Sequence, residues 1–215
     1  MSNAVYFNIY KLKKGSSALD FLNAVKNLTD EVNTKFKEKG YVSFSLLADG
    51  ETWADCSIWD SMDALNAFIE SSRAASKSGT NETAETFYSF LNLNSCISRR
   101  FNIEQNHNMG TGQFDISNIV SYHSYKLKNG LSVNDFLNQG DEVYTEFTSK
   151  QTNSVSFIRL ADGETWADIT TFETMDKYKE FVKQCNQYFK TKGGYSFIAP
   201  GSLKSYLFST ANNKL

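Results

Sequence analysis

Hydrophobic and polar positions follow two periods along this chain, and the order in which the periods change is the same in both halves. Val5-Tyr6-Phe7-Asn8-Ile9-Tyr10 is β-branched and aromatic and stops at Lys13-Lys14-Gly15, which predicts a strand. Ser17-x-x-Asp20 then has the form of a helix N-cap, and Phe21, Leu22, Val25, Leu28, Val32 and Phe36 keep a helical stripe behind it. Strands from about Tyr41 to Leu47 and from about Glu51 to Trp59 meet at Asp49-Gly50, a dipeptide suited to the two positive-φ positions of a type I′ hairpin. A second helical region from Met62 through Phe68 to Phe90 is interrupted by the polar stretch Ser76 to Asn81, and a last strand is expected near Cys96 to Ile103. The order is βαββαβ, the split βαβ or ferredoxin-like unit, an antiparallel sheet with both helices on one face.

The second half repeats the first. Leu47-Ala48-Asp49-Gly50-Glu51-Thr52-Trp53-Ala54-Asp55 recurs letter for letter as Leu160-Ala161-Asp162-Gly163-Glu164-Thr165-Trp166-Ala167-Asp168. Tyr10-Lys11-Leu12-Lys13 returns at Tyr125 to Lys128, Asp20-Phe21-Leu22-Asn23 at Asp135 to Asn138, and Tyr88-Ser89-Phe90 at Tyr195 to Phe197, the offset falling from 115 to 113 to 107. A period near a hundred residues is a repeated domain, since solenoid repeats are much shorter. Residues 1–103 are expected to form one module and 118–215 the other, joined by a polar linker over 104–117 that contains Gln105-Asn106-His107-Asn108 and Gly110-Thr111-Gly112. On the first and third strands Val5, Phe7, Ile9, Ala54, Cys56 and Ile58 make an apolar face, while Tyr6, Asn8, Tyr10, Trp53, Asp55, Ser57 and Trp59 make a mixed one. The apolar face is assigned to contact between modules and the mixed face to the space beneath the helices. The expected fold class is α+β: two tandem ferredoxin-like modules packed sheet to sheet as a pseudo-dimeric α+β barrel.

Charge narrows the partners. With 22 basic against 24 acidic side chains among 215 residues and no run of either sign, neither a nucleic acid nor a membrane surface is expected as a partner. The first residues lack a basic stretch followed by a long apolar run, so a cytoplasmic location is expected. Cys56, Cys96 and Cys185 have no Cys-x-x-Cys spacing and read as free thiols, and no metal site is expected. Nucleotide-binding loops, the serine-hydrolase elbow and His-Glu-x-x-His are all missing from the sequence.

The stretch Tyr10-Lys11-Leu12-Lys13-x-Gly15, the Asp49-Gly50 hairpin leading through Trp53-Ala54-Asp55 to Trp59-Asp60-Ser61-Met62, and their counterparts ending at Phe172-Glu173-Thr174-Met175 resemble the dimeric α+β barrel superfamily, in particular antibiotic biosynthesis monooxygenase-like proteins. The resemblance covers nearly the whole chain as two fused copies. It implies a ligand pocket between sheet and helices, and cofactor-independent oxygenase chemistry in some members. Haem-degrading relatives use an Asn on the first strand, a Trp at the end of the third and a His on the second helix. Asn8 and Trp59 stand at the first two positions, but neither module has a His on its second helix, since His107 falls in the linker and His123 on a first strand. Haem, or any other cofactor, is therefore not expected.

The second module has His123 and Phe172 where the first has Asn8 and Trp59, so the two pockets differ. Candidate catalytic residues are His123, whose free pKa lies near neutrality, Asn8, and the repeated carboxylates Asp55 and Asp168. Candidate ligand contacts are Tyr6, Tyr10, Trp53, Trp59, Tyr125, Trp166 and Phe172. Each has a plainer reading: large aromatics on a sheet face as core, the carboxylates as partners of buried donors, a lone His as packing. Two function classes follow. One is a cofactor-independent oxygenase acting on a small aromatic or polyketide-like molecule; the other is a non-catalytic small-molecule-binding or stress-type protein. A monomer that mimics the usual dimer is expected, with a homodimer as the alternative.

Overall fold

The computed structural model of the chain describes residues 3–108, 118–150, 154–192 and 196–211. It divides into two compact units, Met1–Asn102 with Ala211–Leu215, and Ile103–Thr210. Gly110-Thr111-Gly112 of the expected linker and Tyr195 of the repeated motif lie outside the described residues.

In unit 1, β1 (Ala4–Leu12) is followed by α1 (Ala18–Phe36), the hairpin β2 (Tyr41–Asp49) and β3 (Thr52–Trp59), the helices α2 (Met62–Lys77) and α3 (Glu82–Phe90), and the first part of β4 (Leu91–Asn108), whose residues from Ile103 on, Gln105 among them, belong to unit 2. The sheet is antiparallel, with β1 between β3 and β4 and with β2 on the far side of β3. Ser17 caps α1 as its pattern predicts, Oγ accepting from the Asp20 amide at 3.2 Å, and the polar break in the second helical region separates α2 from α3. In unit 2 the order is β5 (Ile119–Tyr125), α4 (Val133–Glu146), β6 (Ser154–Ala161), β7 (Trp166–Phe172), α5 (Met175–Lys192) and β8 (Lys204–Thr210). Here β5 lies between β7 and β8, and β6 pairs with β7. Ser132 caps α4 as Ser17 caps α1.

Two sequence expectations are corrected. β4 runs through Asn108, so the stretch from Glu104 continues the strand; the polar side chains of Glu104 to His107 suit a strand with one wet face, which polarity alone does not distinguish from a loop. The first hairpin closes on the pair Asp49↔Thr52, so its loop residues are Gly50 and Glu51, one position later than expected, with Gly50 supplying the positive φ of 57°. In the second hairpin Asp162 stays outside the loop centre as well, its carboxylate accepting from the amides of Glu164 and Thr165 while Gly163 takes φ 94°.

The mixed faces of the first and third strands of each unit meet its own helices. Tyr10, Phe21, Leu22, Val25, Leu46 and Phe87 form one cluster of unit 1, with Trp53 packed against it; Ala4, Tyr41, Trp59 and Leu65 form a second. Unit 2 repeats the first cluster in outline with Tyr125, Phe136 and Trp166. The edge-to-face pair Phe21–Trp53 (5.0 Å, 75°) returns as Phe136–Trp166 (5.0 Å, 79°), and Tyr10–Phe21 (6.2 Å) as Tyr125–Phe136 (6.1 Å). Identical residues thus set identical joints between first helix and sheet.

Candidate functional site

The antiparallel register lines up one row of side chains across each sheet. In unit 1 the row is Leu46, Asp55, Asn8 and Ser98; in unit 2 it is Arg159, Asp168, His123 and Ser205. The carboxylate and the outer serine are common to both, and the other two positions differ.

In unit 2, Arg159, Asp168 and His123 of the row form the floor of a cavity of about 300 Å³. Tyr125, His123 and Ser121 of β5, Arg159 of β6 and Asp168 of β7 line it, and α4 and α5 cover it with Phe136, Tyr144, Phe181 and Phe189. Phe172 closes one end, where unit 1 has Trp59 stacked on Phe68 at 4.7 Å. Phe181 is the repeat equivalent of Phe68, so the exchange of Trp for Phe at the strand end withdraws half of that stack. A second filler of unit 1 is Phe87 of α3, which packs edge-on against Tyr10 at 6.0 Å. The 107-residue offset sets Gly194 at its place in the sequence. At the rim between α4 and α5, Lys192 and Tyr188 each hold Glu146 at 3.0 Å.

The polar floor is an ordered network. Arg159 grips Asp168 with two nitrogens, Nε donating to Oδ1 at 2.8 Å and Nη2 to Oδ2 at 3.2 Å, and Tyr125 Oη donates to the same Oδ2 at 3.0 Å. Nη1 donates to Gln105 Oε1 at 2.9 Å, and Gln105 Nε2 in turn donates to the Leu137 carbonyl and to Asp141, both at 2.8 Å. The guanidinium lies over the Phe136 ring at 4.5 Å. Burial works against the charge of Arg159, but Asp168 and Tyr125 more than offset it, so its pKa is raised and it stays cationic. Burial and the Asp168 charge push the Tyr125 phenol well up, so it remains a donor.

This network depends on Gly140 in α4. A Cβ there would stand 2.2 Å from Arg159 Nη1 and 2.8 Å from Gln105 Oε1. The repeat equivalents of Gly140 and Arg159 are Val25 and Leu46, which are both buried in the apolar cluster of unit 1.

His123 sits between two hydroxyls. Its Nε2 meets Ser121 Oγ and its Nδ1 meets Ser205 Oγ, each at 2.8 Å. Burial lowers its pKa, with Asp168 opposing, so the imidazole is neutral near pH 7.

Unit 1 treats its carboxylate otherwise. Asn8 Nδ2 donates to Asp55 Oδ1 at 2.7 Å, Leu46 offers no charge across the strand, and Tyr10 Oη finds no hydrogen bond of ordinary geometry. Burial raises the Asp55 pKa to about 6, with Asn8 and Tyr10 holding it partly down.

Of the residues singled out in the sequence, the structure brings His123, Tyr125, Asp168 and Phe172 to one cavity. Trp166 lies beside it in the joint with Phe136, while Asn8, Tyr10, Asp55, Trp53, Trp59 and the partly buried Tyr6 belong to unit 1. Arg159, Gln105, Gly140, Ser121 and Ser205 were not foreseen. The signal for Arg159 was an arginine inside the apolar run Phe157-Ile158-Arg159-Leu160, where unit 1 has Leu46. Among the described residues no cluster of His, Cys, Asp and Glu could hold a metal ion, and no helix is long and apolar enough to cross a membrane.

No protein-family model matches the chain, and no curated protein sequence does so either. Solved structures do. A "putative monooxygenase" of Fusobacterium nucleatum superposes with a TM-score of 0.69 at 11% identity over 97% of this chain and 92% of that one. An anthrone oxidase-like protein gives 0.62 at 12% over 97% and 91%, and a Listeria monocytogenes ferredoxin-fold protein related to antibiotic biosynthesis monooxygenases gives 0.52 at 9% over 97% and 94%. At such identities the likeness is one of fold, and the fold is that of the antibiotic biosynthesis monooxygenase-like ferredoxin-fold proteins.

Proposed function

We propose that the cavity of unit 2 is the working site, and that the chain acts there as a cofactor-independent monooxygenase on a small aromatic or polyketide-like molecule. The observation that carries the reading is the row Arg159, Asp168, His123 set in the floor of an aromatic-walled cavity of about 300 Å³. Ring stacking against Phe136, Tyr144 and Phe181 suits a flat substrate. The Arg159 guanidinium, on the cavity floor, is the cation suited to a carbonyl oxygen that becomes an enolate. His123, neutral and on the cavity wall, is the base that takes the activated proton. The carbanion so formed gives its electrons to O2. For anthrone, suggested by the likeness to the anthrone oxidase-like protein, the balance is anthrone and O2 to anthraquinone and water, the two hydrogens lost from the reacting carbon equalling the two of that water. A cytoplasmic setting belongs to this reading and is supported by the free thiols of Cys56, Cys96 and Cys185.

Oxygen uptake by the intact chain with anthrone tests it. Uptake should exceed the spontaneous rate and fall at least tenfold in His123→Ala. Phe172→Trp, which puts the bulk of Trp59 into the second cavity, should weaken binding of anthrone at least tenfold while folding stability changes by about 1 kcal/mol or less. Binding that is indifferent to Phe172→Trp would place the ligand elsewhere and sink the reading.

The second reading is a binding protein without turnover. Both oxygens of Asp168 are already taken by Arg159 and Tyr125, which favours a floor built for recognition. In that case native mass spectrometry finds a retained aromatic molecule, and His123→Ala leaves oxygen uptake at the spontaneous rate of the wild type.

A further inference from the structure

We infer that Ser121, His123 and Ser205 form a proton relay that joins the floor of the unit 2 cavity to solvent. The inference rests on the reading of that cavity as the working site. Ser121 is 3% exposed and lines the cavity, His123 is half-buried, and Ser205 is exposed on β8. The two contacts, Ser121 Oγ to Nε2 and Nδ1 to Ser205 Oγ, are both 2.8 Å, so the chain of polar atoms is unbroken from inside to outside.

A histidine that merely packs needs one partner to fix its tautomer. His123 has two, and each is a hydroxyl, able to donate or to accept. Either tautomer is therefore satisfied, and neither is locked. Asp168, the cross-strand neighbour, attracts positive charge on the ring, but both its oxygens are engaged by Arg159 and Tyr125. It favours passage of a proton without orienting the ring as a carboxylate does in a hydrolase triad. Unit 1 has Tyr6, Asn8 and Ser98 at the three positions, and an amide cannot pass a proton from one atom to another. The relay is thus confined to the unit that holds the cavity.

The transfer balances. The substrate's C–H or O–H bond breaks and its proton goes to Ser121 Oγ as the Ser121 hydroxyl proton moves to Nε2. The Nδ1–H bond breaks, its proton goes to Ser205 Oγ, and the Ser205 hydroxyl proton leaves to water. The imidazole ends neutral, in its other tautomer, and no electron crosses the relay. A proton drawn inward along the same path, when an oxygen atom of O2 departs as water, resets it.

The test needs no ligand, so its failure is separate from failure of anthrone to bind. The chain has 2 histidines, and ring-15N labelling of the full chain with His107→Gln as the assignment variant isolates the His123 signals. At pH 7.5 both tautomers of His123 should be populated and exchanging. Ser205→Ala and Ser121→Ala should skew the populations in opposite directions, and Ser205→Ala should slow exchange of the ring N–H with water more than tenfold. Ser205→Thr keeps a hydroxyl on the same strand and should restore the rate. Since Ser205 is exposed, its variants fold. One fixed tautomer in the wild type, or exchange unchanged by Ser205→Ala, overturns the relay and leaves His123 as a packed base.

Discussion

The row across the unit 1 sheet reads Leu46, Asp55, Asn8, Ser98, and the row across unit 2 reads Arg159, Asp168, His123, Ser205. The same carboxylate occupies the same place in both, preceded by the same eight letters, yet its surroundings are opposed. Asp168 is half of an ion pair with a phenol as third member, and Asp55 is a buried carboxyl held by one amide. The nonapeptide therefore fixes the position of the acid and leaves its partners to residues outside it. Where the acid has a cation opposite, the sheet can leave the space above it open to a ligand; where it has a leucine, aromatic bulk covers it.

The largest expected effect breaks the comparison on the unit 2 side. Asp168→Asn leaves Arg159 buried against a neutral partner and should cost about 3–5 kcal/mol of folding stability. Denaturant unfolding of the full chain measures it, and a loss below about 1 kcal/mol would show that Arg159 finds its counter-charge elsewhere.

The matching substitution in unit 1 should act with the opposite sign. The folded-state pKa of Asp55, about 6, lies above the unfolded value of 3.8, so the folded chain binds more protons between those pH values. Stability contributed by the protonated acid is present below about pH 4, declines as pH rises toward 6, and is gone above it, a change of roughly 3 kcal/mol. Asp55→Asn should remove this slope and raise stability at pH 7.5 by up to about 3 kcal/mol. A wild type that instead gains stability from this residue between pH 4 and 6 would mean that Asp55 has a cation not seen in the row.

The smallest effect sharpens the difference at the helix. Gly140→Ala gains about 1 kcal/mol of helix propensity but sets a methyl against Arg159 and Gln105, which overpacking prices at about 1–3 kcal/mol. A net loss of up to about 2 kcal/mol is expected, seen as a fall of a few degrees in melting temperature. A gain would mean that the guanidinium moves aside without loss.

Much of the fold could be read from local pattern. Ser17 and Ser132 cap their helices, the hydrophobic stripes mark α1 and α4, and the hairpins fall where Gly50 and Gly163 stand, because all of these depend on neighbours within a few residues. The site was legible only where one residue type carries its own chemistry, as with His123. The partnership of Arg159 with Asp168 requires the register of β6 on β7, and that of Arg159 with Gln105 spans 54 residues, so neither can be inferred from spacing. Gln105 was hidden further by lying in a polar stretch whose strand character comes from pairing. The cavity itself is a difference of volumes, set by Phe172 against Trp59, and sequence alone shows the exchange without showing that nothing else fills the gap.

Gly140 also sets the terms for redesign. Moving the unit 2 recognition floor into unit 1 means placing an arginine at Leu46, and the helix above that position presents Val25. Leu46→Arg alone would press a cation against Val25, while Val25→Gly alone would open a void beneath α1. Either single change should be worse than none, and only the pair can set an arginine opposite Asp55, so a screen of single substitutions would never find it.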